Sequence, residues 1–169
     1  MTTGLVLKVH KKDFVTFVVQ PPEIRKEILE TIGRRMVVNY RKRMLNNRGI
    51  TPSGNLKVHK ALSSNYTVRP SDRPAKSPIL IDTNRMINSF NVDYSRSTHD
   101  RVFLNVRPTR HKFTKLRSDA LAAIHHFGTR NGRIPPRPHI GFSKQDARDA
   151  GRQFHTTMKP LVGETFRKG

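Results

Sequence analysis

Pro21-Pro22-Glu23-Ile24-Arg25-Lys26-Glu27-Ile28-Leu29-Glu30-Thr31-Ile32-Gly33-Arg34-Arg35-Met36-Val37-Val38-Asn39-Tyr40-Arg41-Lys42-Arg43-Met44 is the stretch on which the fold turns. Proline suits the first turn of a helix, where its missing N–H has no partner to lose. Glu23 and Glu27 lie near the positive end of the helix dipole. Ile24, Ile28, Ile32, Met36, Tyr40 and Met44 recur every fourth residue and make one apolar stripe. Arg34, Arg35, Arg41, Lys42 and Arg43 gather toward the negative end, where cations are favoured. Asn46-Asn47-Arg48-Gly49 ends the run. The spacing predicts a long helix with one buried face.

On the N-terminal side, Leu5-Val6-Leu7-Lys8-Val9 and Phe14-Val15-Thr16-Phe17-Val18-Val19 are short and β-branched or aromatic. They read as two strands, with His10-Lys11-Lys12-Asp13 as a hairpin turn. A helix stays open for the second, because short apolar runs carry no decisive period. On the C-terminal side, residues 48–78 are rich in Gly, Pro, Ser and Asn and read as a long loop or arm reaching a neighbour. Asp82 or Thr83 is a natural N-cap for one or two helical turns. Phe90 to Tyr94 and Arg101 to Val106 alternate as strands around a turn at Ser95 to Asp100. A helix from about Ser118 to Phe127 stops at Gly128. Ile134-Pro135-Pro136-Arg137-Pro138-His139 is an extended arm, stiffened because proline fixes φ and drives the preceding residue out of the helical region. A last helix starts at Ser143 as N-cap, with Ala147, Ala150, Phe154 and Met158 on one side. The sum is an α+β fold: an antiparallel sheet with a long N-terminal helix and a C-terminal helix, in a single domain over 1–169.

The chain is 34% hydrophobic, which predicts a thin core that leans on neighbouring subunits. It has no cysteine, so disulfides and thiolate metal sites are excluded and an intracellular origin is expected. No apolar run is long enough to span a bilayer, and no signal peptide or amphipathic anchor stands out, so no membrane partner is expected.

The formal net charge is +21. No acid occurs between Glu30 and Asp72, where Arg34, Arg35, Arg41, Lys42, Arg43, Arg48, Lys57, Lys60 and Arg69 fall, and none between Asp100 and Asp119. Such a surface attracts polyanions. Arg34, Arg35, Arg41, Lys42, Arg43 and Arg48 are the candidate DNA-facing residues, holding phosphates by charge without base readout. A solvated basic face that meets acidic protein is the alternative. Few aromatics interleave with the arginines, which argues against a single-strand stacking platform.

Eight histidines raise the question of a metal, but His125 and His126 are adjacent and point to different sides of a helix, and no His-Glu-x-x-His spacing exists. No metal and no cofactor is expected. Asp82 has no second carboxylate beside it, and no Gly-rich phosphate loop, nucleophile elbow or cysteine nucleophile is present. An enzyme is not expected; a small hydrolase built on Asp82 and a histidine is the form one would take.

Three motifs stand in fixed order: Ile79-Leu80-Ile81-Asp82-Thr83-Asn84-Arg85-Met86 with Ser89, Ala123-Ile124-His125-His126-Phe127-Gly128, and Ile134-Pro135-Pro136-Arg137-Pro138-His139-Ile140-Gly141. Together they resemble the phage virion morphogenesis family, the tail completion and head–tail joining proteins of long-tailed bacteriophages. The likeness runs from Ser77 to about Met158. The chain departs from the family pattern at Asn84, where glycine is usual, at Ala122, which replaces a tyrosine, and at His139, which replaces an aromatic. The resemblance implies a ring-forming subunit of the neck or tail end, a tail completion or terminator protein in a homo-oligomer of six that surrounds the DNA channel. It implies neck, connector and tail-tube proteins as partners, and a place in the virion after assembly in the host cytoplasm. It marks Asp82, Thr83, Arg85, Ser89, His125, Phe127, Gly128, Pro135, Arg137 and Pro138 as the assembly motif. A basic nucleic-acid-binding structural protein, such as an RNA-associated subunit, is the alternative that charge and a thin core fit equally well.

Overall fold

The computed structural model of the chain describes residues 9–58, 85–109, 116–132 and 134–165. The fold is α+β, with helices α1 (Lys11–Val18) and α2 (Pro22–Leu45), strands β1 (Arg48–Ile50) and β2 (Leu56–Val58), and helix α3 (Arg85–Ser89). Strands β3 (Phe90–Val92) and β4 (Leu104–Val106) and helices α4 (Ser118–Phe127) and α5 (Lys144–Thr165) complete it. Strands pair only as two separate two-stranded ribbons, β1–β2 and β3–β4, among the described residues. The chain divides into two compact units, one taking residues 1–38, 92–104 and 142–169, the other 39–91 and 105–141.

In the first unit, Ile28, Ile32 and Met36 of α2 meet Ala150, Phe154 and Met158 of α5 in one buried cluster, with Val9, Phe17, Leu104 and Phe142 packed around it. The predicted stripe is therefore the core face, although its first member, Ile24, stays exposed. Gly33 lies on the same helix because the β3–β4 ribbon comes close: a Cβ there would stand 2.7 Å from Val102 and 3.2 Å from Val92.

Residues 14–18 are helical, which corrects the strand expectation, and Lys11 to Asp13 begin that helix rather than turning a hairpin. Asp13, Thr16 and Phe17 face inward at helical spacing, while Phe14, Val15 and Val18 are exposed. A strand would have alternated. Phe17 stacks edge-on against Phe154, with ring centroids 5.4 Å apart, and this packing outweighs the β-branched composition.

Helix α5 starts where Ser143 predicts. The Ser143 N–H donates to the Asp146 carboxylate at 2.8 Å, and the Asp146 N–H donates back to the Ser143 hydroxyl at 3.1 Å. Both side chains are buried, so no water replaces the missing bond if one is removed. Ser143→Ala is expected to lower stability by about 1–2 kcal/mol, read as a shifted denaturant midpoint at unchanged slope.

In the second unit, Tyr40 and Met44 of α2 are buried with Met86, Ile87, Phe90 and Ala122. Helix α2 ends at Leu45, and Asn47 just beyond it, at φ 51°, is the residue in the left-handed region. Residues 48–58 are not loop but an antiparallel hairpin, with Arg48 opposite Val58 and Ile50 opposite Leu56. Thr51-Pro52-Ser53-Gly54-Asn55 turns it: Gly54 at φ 79° donates to the Thr51 carbonyl, and the Thr51 N–H donates to the Asn55 carbonyl. Three-residue strands were too short to show as a period. The remainder of the expected arm, 59–78, lies outside the described residues, as do the expected helix caps Asp82 and Thr83.

Candidate functional site

Two of the three sequence motifs meet in the second unit. Helix α4 ends at Gly128, whose N–H donates to the Ile124 carbonyl, and the backbone there takes φ 77° and ψ −178°. The chain turns through Thr129, which exchanges hydrogen bonds with Ile134 in both directions at 2.9 Å. It then returns along α4. The Arg137 N–H donates to the His125 carbonyl at 2.8 Å, and the Ile50 N–H of β1 donates to the Pro138 carbonyl at 2.7 Å. The proline arm is thus held by its own unit on two sides. Pro135, Pro136 and Pro138 face outward, while Arg137 and His139 are buried.

His126 fastens the end of the arm. Its Nδ1 accepts the backbone N–H groups of His139 and Ile140 at 3.3 and 3.1 Å. That role needs a neutral imidazole with its proton on Nε2. Burial holds the His126 pKa below the ordinary value of 6.5. The folded form therefore takes up its proton at lower pH than the unfolded chain. Stability from this group is complete above 6.5 and is lost as pH falls through that value toward the folded pKa. The melting temperature is expected to fall on acidification below 6.5, and His126→Gln, which keeps an acceptor without a titration, is expected to flatten that slope.

Basic residues divide by burial in a way that composition does not reveal. Arg34, Arg35, Lys42 and Arg48 are exposed, and Arg34 donates to the Thr31 hydroxyl one turn back on the same helix. Arg41 donates to the Phe90 carbonyl at 3.0 Å. Arg43 is buried, donates to the carbonyls of Gly141 and His139 at 3.0 and 3.4 Å, and lies 4.4 Å from the centre of the Tyr40 ring. Arg43 therefore holds the arm to α2, whereas Arg34, Arg35, Lys42 and Arg48 are exposed and Arg41 is half-buried. Of the first motif, Ser89 is buried and its hydroxyl donates to the Met86 carbonyl at 2.6 Å. Asp82 and Thr83 lie outside the described residues, and Arg85 is placed by its backbone as the first residue of α3. At the start of α4, the exposed Asp119 carboxyl is held below the usual carboxylate range chiefly by its bond from Arg117.

Phe127 is 63% exposed, the most exposed aromatic of either motif. It follows His126, whose ring it meets edge-on at 4.6 Å, and precedes Gly128, against which Pro136 lies. Phe127, Pro135, Pro136 and Pro138 are each exposed.

Sequence reasoning missed one pairing outright. In the first unit, Asp13 is buried and accepts from His155 Nδ1 at 2.7 Å, across 142 residues of chain. No local spacing signals a pair so far apart.

Among the described residues, no group of three or more His, Cys, Asp or Glu could hold a metal ion, and no helix is long and apolar enough to cross a membrane. The chain matches no protein-family model, no curated protein and no solved structure.

Proposed function

We propose that this chain is a structural subunit of a bacteriophage neck or tail end, a tail completion or terminator protein that assembles as a ring around the DNA channel and has no catalytic role. The observation that carries the reading is the interlock of helix α4 with the proline arm, which turns two of the three family-like motifs into one stiff element with Phe127 and three prolines facing outward. A segment already ordered in the free subunit loses little entropy on docking, so a modest apolar area suffices for assembly. In a ring each surface patch recurs around the axis, and the exposed Arg34, Arg35, Lys42 and Arg48 would become circles of positive charge suited to a DNA strand.

Native mass measurement tests the assembly. The expected result is a species several times heavier than 19.4 kDa. Phe127→Ser should reduce it to single subunits with helical content intact. A stable monomer that binds structured RNA stoichiometrically would instead favour the RNA-associated alternative. Replacing Arg34, Arg35, Lys42 and Arg48 by glutamine should leave the ring whole. It should reduce the salt dependence of DNA binding, by roughly 0.9 in the log–log slope for each phosphate that is no longer neutralised.

A further inference from the structure

The first unit carries a cleft of about 1040 Å³ between the start of α1 and one face of α5. Val9, His10 and Asp13 form one wall. On the other, Arg148, Arg152 and His155 succeed one another at helical spacing, and Gly151 between them leaves the floor open. Asp13 is the one carboxylate among the described residues that line the cleft, and it is already engaged by His155. Two guanidinium groups therefore face the cleft together with two imidazoles and a single carboxylate.

Each of these groups has a defined partner. Arg148 donates to Gln145 at 3.1 Å, Arg152 pairs with Asp149, and the His10 ring meets the His155 ring edge-on at 5.3 Å. Asp13 is only 4% exposed, whereas the His155 side chain is 53% exposed. A buried carboxylate behind an open imidazole fixes the ring: Nδ1–H points back to Asp13, and Nε2 is turned away from it. When the ring is protonated, Asp13 balances its charge and Nε2–H becomes a donor for an anion. Guanidinium groups present the planar donor pairs that match phosphate oxygens. The cleft is far larger than one phosphate ion needs, and Val9, Ala147 and the His10 ring add apolar and stacking surface suited to the rest of a nucleotide.

We infer that this cleft binds the phosphate of a nucleotide, free or in a strand, with Arg148, Arg152 and His155 as the contacts and Asp13 as the residue that positions His155. The site lies within one unit of one chain and does not depend on ring formation, so it stands or falls separately from the assembly reading.

Titration of the full chain with a 5′-mononucleotide, followed by the imidazole NMR signals of His155 and by calorimetry, tests it. The expected result is saturable binding that shifts the His155 signals. His155→Gln and Arg148→Gln, both at exposed side chains, should each weaken binding by about tenfold or more without loss of fold. Asp13→Asn should shift the ring-nitrogen signals of His155 in the free chain and weaken binding while leaving the arginine contribution, and is judged only if its helical spectrum is retained. Comparing 5′-phosphorylated with 5′-hydroxyl oligonucleotides separates the sources. A preference for the first assigns a terminal phosphate, equal binding with the same sensitivity to His155→Gln assigns an internal diester, and either supports the site. Unmoved His155 signals at saturating nucleotide, or binding equal in the parent, His155→Gln and Arg148→Gln chains, would overturn it.

Discussion

Replacing Gly128 by alanine is expected to release the proline arm from helix α4. The backbone at Gly128, at φ 77° and ψ −178°, lies in a region open almost only to glycine. A Cβ there would also stand 2.7 Å from the Ile134 carbonyl oxygen and 2.9 Å from the Pro136 nitrogen. Those are main-chain atoms of a stiff segment and cannot rotate aside. Strain and clash together are expected to cost about 3 kcal/mol or more. Hydrogen exchange reads the effect locally: the Arg137 N–H, which donates to the His125 carbonyl, should lose its protection. Gly132 supplies the contrast. It also has positive φ, at 70°, but a Cβ there meets nothing within 4 Å. Gly132→Ala is expected to cost only about 1–2 kcal/mol and to leave the arm in place.

Phe154→Ala is expected to be the most damaging truncation in the first unit. The ring is 4% exposed, belongs to the cluster that joins α2 to α5, and is the surface on which Phe17 of α1 packs. Removing it withdraws support from three helices at once. The expected loss is about 3–5 kcal/mol, a large share of the roughly 5–15 kcal/mol that holds an ordinary domain together. Thermal melts should show a fall on the order of 10 °C. Phe154→Leu, which keeps most of the volume, should recover most of that loss.

These two sites mark where the sequence was readable. The stripe from Ile28 to Met44, the stop of α4 at Gly128 and the cap at Ser143 follow from period and turn chemistry, and each is local information. The element at 11–18 was misread because β-branched composition is a weak guide beside packing: Phe17 and Asp13 take their conformation from partners on α5, more than a hundred residues away. The hairpin at 48–58 escaped because three-residue strands leave no pattern. For the site, the error lay in grouping the buried Arg43 with the DNA-facing residues. Arg43 and Arg137 are 5% and 4% exposed, and only the fold tells such residues from Arg34 or Lys42. The three ordered stretches were legible as sequence. That two of them close on each other through Gly128 and His126 required coordinates.

The first unit is stitched from three separate lengths of chain, the last of them beginning at residue 142. During synthesis on the ribosome its opening helices must therefore wait, with Ile28, Ile32 and Met36 uncovered, until α5 emerges. A message cut short before that point yields a product whose greasy flank stays bare, a target for chaperones and proteases. Only a chain translated at least through α5 can cover that apolar face.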